Sequence, residues 1–153
     1  MITSMGGDRD EGGPVVIATD GSQSADQAVA EGVRVARTLG THAVLVYVRP
    51  SIGPLGEPYY QEKLSEQTAY ARDALDRAQD LARREDCEAD EEILEGHPPD
   101  RVVELARARN AQLIVVGSRG LGAVAGALLG SVSSAIIHRS DRPVLVVPTA
   151  ARR

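Results

Sequence analysis

Short runs rich in Val and Ile alternate with longer stretches of helical periodicity along most of this chain. That alternation limits the possible fold more than any other feature. Residues 14–19 (PVVIAT) read as a buried strand. Ser24, Ala25, Ala28, Val29, Gly32, Ala36 and Leu39 then recur at helical spacing, with Gly40 as the stop. Residues 42–48 (HAVLVYV), 112–116 (QLIVV) and 143–147 (PVLVV) are further apolar strands, and 88–94 a weaker, acidic one suited to a sheet edge. A long helix carries Leu64, Ala71, Ala74, Leu75, Ala78, Leu81 and Ala82 on one stripe, and shorter helices are predicted at 100–109 and 131–139. Residues 49–59 hold three Pro and two Gly and read as a loop, of a length that compact domains usually reserve for function or mobility.

Strands without polar alternation, separated by helices, imply βαβ units in one five-stranded parallel sheet covered on both faces, an α/β fold. At 153 residues the chain suits a single domain. Residues 1–13 (MITSMGGDRDEGG) show no apolar periodicity and are expected to be a disordered leader, leaving 14–148 as the domain and 149–153 as a tail. Right-handed crossovers bring every strand-to-helix loop to one edge of such a sheet, where ligands bind at the point of strand-order reversal. Asp20, Val48, His97 and the segment from Gly117 to Gly120 are expected to meet there.

Five of the fifteen glycines fall between Gly117 and Gly130. Glycine allows close backbone approach and positive φ, so successive N–H groups can converge on one anion. Ser131 is the expected N-cap of the following helix, whose amides and dipole favour a phosphate. Arg119 is the one cation of the segment, placed to meet phosphate oxygens. Glycines in such a place can equally serve tight helix-on-sheet packing alone.

Composition removes several alternatives. Lys63 is the only lysine, so no Walker A loop exists, and a formal net charge of -5 argues against a nucleic-acid partner. Gly120-x-Gly122-x-x-Ala125 matches a relaxed dinucleotide fingerprint, but the acidic residue about 20 positions on, Asp141, falls at the wrong end of its strand. Asp20 lacks the acidic neighbour that a phospho-aspartate receiver needs. Cys87 is the only cysteine, which excludes an internal disulfide. No run approaches the ~20 apolar residues of a membrane span, and no charged-then-apolar leader opens the chain, so a cytoplasmic location without membrane contact is expected.

Gly117-x-x-Gly120, nine residues, then Gly130-Ser131 resembles the Gly-2x-Gly-9x-Gly-Ser/Thr motif of the ATP-binding class of universal stress proteins. The opening strand into Asp20-Gly21-Ser22, Tyr47-Val48, Gly96-His97-Pro98, residues 113–120 and residues 142–148 are similar to further blocks of that family. Tyr47 departs from the commoner His, and Gln112 from the Asp or His of many relatives. The resemblance implies a Rossmann-like fold of the adenine-nucleotide alpha-hydrolase type. It also implies that Asp20 contacts ribose or adenine, Val48 the adenine, Gly117 and Gly120 the ribose and phosphates, and Gly130, Ser131 and Val132 the phosphates.

With no Phe or Trp in the chain, the base is expected to rest on aliphatic walls and backbone polar groups. The resemblance implies an ATP-binding stress-response module; no catalytic set can be assembled at the ligand edge, so little or no hydrolysis is expected, with Mg²⁺ held mainly by the phosphates. A slow nucleotide hydrolase and a nucleotide-free interaction module remain the alternatives. The apolar last strand, 143–148, is an expected edge through which the family pairs as a homodimer.

Overall fold

The computed structural model describes residues 12–119 and 129–149. Five parallel strands, β1 (Val15–Ala18), β2 (Ala43–Arg49), β3 (Ala89–Glu95), β4 (Leu113–Gly117) and β5 (Val144–Val147), lie in the order β3-β2-β1-β4-β5. The connecting helices are α1 (Gln23–Leu39), α2 (Tyr59–Arg84), α3 (Pro98–Ala108) and α4 (Ser131–Arg139). The predicted α/β fold, a single five-stranded parallel sheet with helices on both faces, is the one observed.

Alternation along each strand divides the core into two layers. Val15, Ile17, Leu45, Tyr47 and Val115 pack against α1 and α2, while Val16, Val44, Val46, Ile114 and Val116 pack against α3 and α4. Small residues let α1 sit close to the sheet. A Cβ at Gly32 would come within 2.7 Å of the Ile17 side chain, so even alanine there would force the buried Ile17 or the helix to shift. The stop at Gly40 is a left-handed residue with φ 71°, where glycine is favoured, and Thr41 N–H closes the helix end on Ala36 C=O at 3.0 Å.

β3 is an edge strand, as its charge suggested, and its acidic side chains are met from both sides. Arg72 and Gln79 of α2 reach Glu91, Arg109 reaches Glu92 at 2.7 Å, and Arg49 reaches Glu95 at 2.8 Å. Exposed pairs of this kind add little stability but keep the edge charged.

Two boundaries differ from the sequence reading for physical reasons. α3 starts at Pro98, not Asp100, because prolines in a first helical turn lose no hydrogen bond. Gly130, not Ser131, caps α4: its backbone is extended (φ -73°, ψ 166°) and its carbonyl accepts the first helical bond, from Ser134 N–H at 3.1 Å. Ser131 is therefore the first helical residue. Of the expected leader, residues 1–11 lie outside the described residues. Gly13 is held, its carbonyl accepting from Thr41 Oγ1 at 2.9 Å and Gln112 Nε2 at 2.7 Å. Of the expected tail only Thr149 is described.

Candidate functional site

β1 feeds α1 and β2 to one side of the sheet, whereas β4 feeds α4 and β5 to the other. The crevice beyond the carboxyl ends of β1 and β4 is thus the point of strand-order reversal. Asp20 leaves β1 there, Val48 is the penultimate residue of β2, before Arg49, and Gly117 to Arg119 leave β4. Gly130, Ser131 and Val132 open α4 at the same edge. Gly120, with the rest of the segment to residue 128, lies outside the described residues.

The β1 side is a turn fixed by its own side chains. Asp20 Oδ1 accepts from Ser22 N–H at 2.9 Å, Thr19 Oγ1 from Gly21 N–H at 3.1 Å, and Ser22 Oγ from Ala25 N–H at 3.1 Å as the N-cap of α1. Gly21 has φ +81°, and Arg77 of α2 donates to its carbonyl at 2.8 Å. A Cβ at Gly21 would meet the Tyr70 ring at 3.0 Å. Tyr70 packs edge-on against Tyr47, with ring centroids 6.0 Å apart. Burial pushes the Tyr47 phenol pKa up, and the neighbouring Tyr70 and Asp20 add to that. An aromatic pair therefore stands beside Asp20, which an aliphatic-walled site did not anticipate. Val48, next in sequence, packs on the opposite face with the α3/α4 layer.

The α4 side is built from backbone and hydroxyls. Gly130 N–H donates to Ser118 C=O at 2.5 Å, so the start of α4 sits directly on the end of β4. Ser133 Oγ donates to the same carbonyl at 3.2 Å. Ser118 N–H in turn donates to Val147 C=O at 2.8 Å. The amides of Ser131, Val132 and Ser133 precede the first helical bond and so have no partner within α4. Ser131 is exposed, Val132 half-buried and Ser133 buried. Gly117 has a packing reason of its own: a Cβ there would meet Ser24 Oγ at 3.0 Å and Ser24 C=O at 3.1 Å. Gly117 thus has the packing role that the glycine segment allowed, against the first turn of α1.

Other candidates are occupied elsewhere. His97 caps α3, and its Nδ1 lies 3.0 Å from Asp100, which also meets Arg139. The hydrogen bond from His97, helped by the Arg139 charge, lowers the Asp100 pKa. The Cys87 thiol is buried and its pKa raised by burial, the opposite of an activated cysteine. Among the described residues no three His, Cys, Asp or Glu side chains group as a metal site, and no helix is long and apolar enough to cross a membrane.

Sequence reasoning missed Tyr70, Ser24, Ser118, Ser133 and Thr149. Ser118 lies inside the glycine motif and Ser133 just beyond it, both legible as small hydroxyl residues; nothing in the sequence joins Ser24 to Thr149.

The profile of the universal stress protein family matches residues 13–148. This chain belongs to the universal stress protein family. A universal stress protein of Thermus aquaticus, encoded in the 3' region of a QAH/OAS sulfhydrylase, is 34% identical over 134 residues, covering 87% of this chain and 96% of that one. The fold matches that of a universal stress protein solved in complex with cAMP (32% identity, TM-score 0.66, covering 90% of this chain and 98% of the other). It also matches the Archaeoglobus fulgidus universal stress protein in complex with dAMP (27% identity, TM-score 0.70, covering 87% and 95%).

Proposed function

We infer that this chain binds an adenine nucleotide, ATP in the first place, in the crevice between β1 and β4. The observation that carries the reading is the closure of Gly130 onto Ser118, which sets the free amides of α4 across the crevice from the Asp20 turn. The cAMP and dAMP bound by two relatives of the same fold support it.

In this reading Asp20 takes the ribose or the base and Val48 lines the adenine. Gly117 and Gly120 allow the ribose and phosphates to approach the backbone. Gly130, Ser131 and Val132 hold phosphates through the helix start, with Arg119 as the cation. Mg²⁺ would arrive bound to the phosphates. The nucleotide acts as a signal in the cytoplasm, with little hydrolysis, and its bound state alters a homodimer or a partner contact. β5 supports the dimer, because it is the other sheet edge and its Val144, Leu145 and Val146 are only half-buried.

Purified protein is denatured, released nucleotide identified, and ATP titrated into the stripped chain. An adenine nucleotide in the supernatant and a rise in melting temperature are expected, since ligand at 100 times its Kd adds about 2.7 kcal/mol. No nucleotide and no shift at millimolar ATP would refute the reading. Light scattering that finds a monomer at micromolar concentration would remove the dimer.

A further inference from the structure

Ser118 uses all of its hydrogen-bonding groups to join separate segments. Its N–H donates to Val147 at the end of β5, and its carbonyl accepts from Gly130 and Ser133 at the start of α4. Its hydroxyl accepts from Thr149 N–H at 3.3 Å. Thr149, one residue beyond Pro148, then donates its own hydroxyl to Ser24 Oγ of α1 at 3.2 Å, across 125 positions of sequence. Ser24, Ser118 and Ser133 are buried, whereas Thr149 is exposed. The chain leaving β5 therefore straps α1 to the floor of the crevice, from the solvent side.

Buried hydroxyls need partners, but that need alone does not choose this place. The strap crosses at Gly117 and Ser118, where any displacement would carry Gly130 and the α4 amides with it. We propose that Thr149 is a positioning residue for polyphosphate: its two hydrogen bonds hold the β4 end and the α4 start in the arrangement that receives the phosphates. The inference rests on the nucleotide reading above and deepens it, because it makes phosphate affinity depend on the segment that follows β5. A site held in its competent arrangement binds more tightly than one that visits it part of the time.

The test compares wild type with Thr149→Val, which keeps the shape and removes the hydroxyl, and with Thr149→Ser, which keeps it. Affinities for ATP and adenosine are measured by equilibrium dialysis, and exchange of the 130–133 amides without ligand by mass spectrometry. Loss of one hydrogen bond of ordinary strength should weaken ATP about three- to tenfold in Thr149→Val. Adenosine affinity should stay within about twofold, since it has no phosphate to misplace, and Thr149→Ser should recover ATP affinity. Amide exchange at 130–133 should quicken in Thr149→Val. Unchanged ATP affinity, an equal loss for adenosine, no recovery by serine, or unchanged exchange would each overturn the proposal. A wild type that binds neither ligand would instead refute the nucleotide reading, and the strap's proposed role would fall with it. Because Thr149 is exposed, both variants are expected to fold.

Discussion

The two walls of the crevice are built on different principles. The β1 wall is local: Thr19, Asp20 and Ser22 each bond a backbone N–H two or three residues on. It presents a carboxylate and an aromatic pair, and it stands on α1 and α2, the two longest helices. The α4 wall is tertiary: Ser118, Gly130, Ser133, Val147 and Thr149 bond across gaps of 12 to 31 residues. It presents amides and hydroxyls on a helix of nine residues. The turn of the first wall needs only its own residues, with Tyr70 and Arg77 joining it when α2 docks, whereas the second wall exists only in the folded sheet. The crevice thus combines a turn written in adjacent residues with a wall assembled from distant ones.

Gly117→Val attacks the assembled wall hardest. Its added carbons would enter the space of Ser24 Oγ and the Ser24 carbonyl, 3.0 and 3.1 Å from the Cβ position. The carbonyl belongs to the first turn of α1 and cannot rotate away. Overpacking of this kind costs about 2 kcal/mol, read as a lower urea midpoint, and ATP binding should be lost with it. Wild-type stability in this variant would show that α1 and β4 are not tightly joined.

Asp20→Asn addresses the local wall and should leave it standing. The amide oxygen can still accept from Ser22 N–H, so the turn persists while the charge is gone. ATP affinity should fall about tenfold, the size expected when a charged hydrogen bond to ligand becomes a neutral one. The melting temperature without ligand should stay near that of wild type. Calorimetric titration checks the first, a thermal melt the second. A drop in stability with unchanged affinity would reverse the assignment and make Asp20 a turn residue only.

The contrast between the walls also explains what was legible in the sequence. Asp20-Gly21-Ser22 could be read because a side chain that bonds two residues on leaves its mark in adjacent letters. The order of elements could be read because strand and helix periods differ, and the edge placement of β3 followed from its charge. The cap of α4 was misplaced by one residue, since Ser131 is a good cap by type while Gly130 becomes the cap by bonding to Ser118, twelve residues earlier. The Ser24–Thr149 contact has no sequence signature, because a hydroxyl pair across the sheet depends on register and on α1 lying close to β4. Tyr70 was hidden for the same reason: its partner is the glycine of the β1 turn, seen only when α2 is folded down.

Gly21→Ala separates conformation from contact within the β1 wall. At φ +81° an L-residue is strained, and its methyl would press on the Tyr70 ring at 3.0 Å. The ring is half-exposed and can yield, so the backbone strain should dominate at about 1 kcal/mol. The double variant Gly21→Ala/Tyr70→Ala relieves the contact and not the strain. Urea titration should therefore show nearly the same loss from Gly21→Ala in the presence and absence of the Tyr70 ring. Full recovery in the Tyr70→Ala background would mean that the ring, not φ, dictates glycine.

The smallest expected effect lies behind the assembled wall, where Asp100 joins the start of α3 to Arg139 at the end of α4. The His97 hydrogen bond and the Arg139 charge hold its carboxyl below the usual value of 3.8. A carboxyl depressed in the folded state adds stability above its unfolded value, and that stability is lost as pH falls through the folded value. Protonation thus weakens the brace only below about pH 4, and the group is fully exposed, so solvent screening keeps the contribution slight. In Asp100→Asn the urea midpoint should match wild type below that pH and lie slightly lower at pH 6. The nearby β1 turn has no part in this brace, so Asp20→Asn should leave the difference between the two curves unchanged. A flat difference from pH 6 to pH 3 would mean that the His97–Asp100–Arg139 contact does not hold α4 in solution.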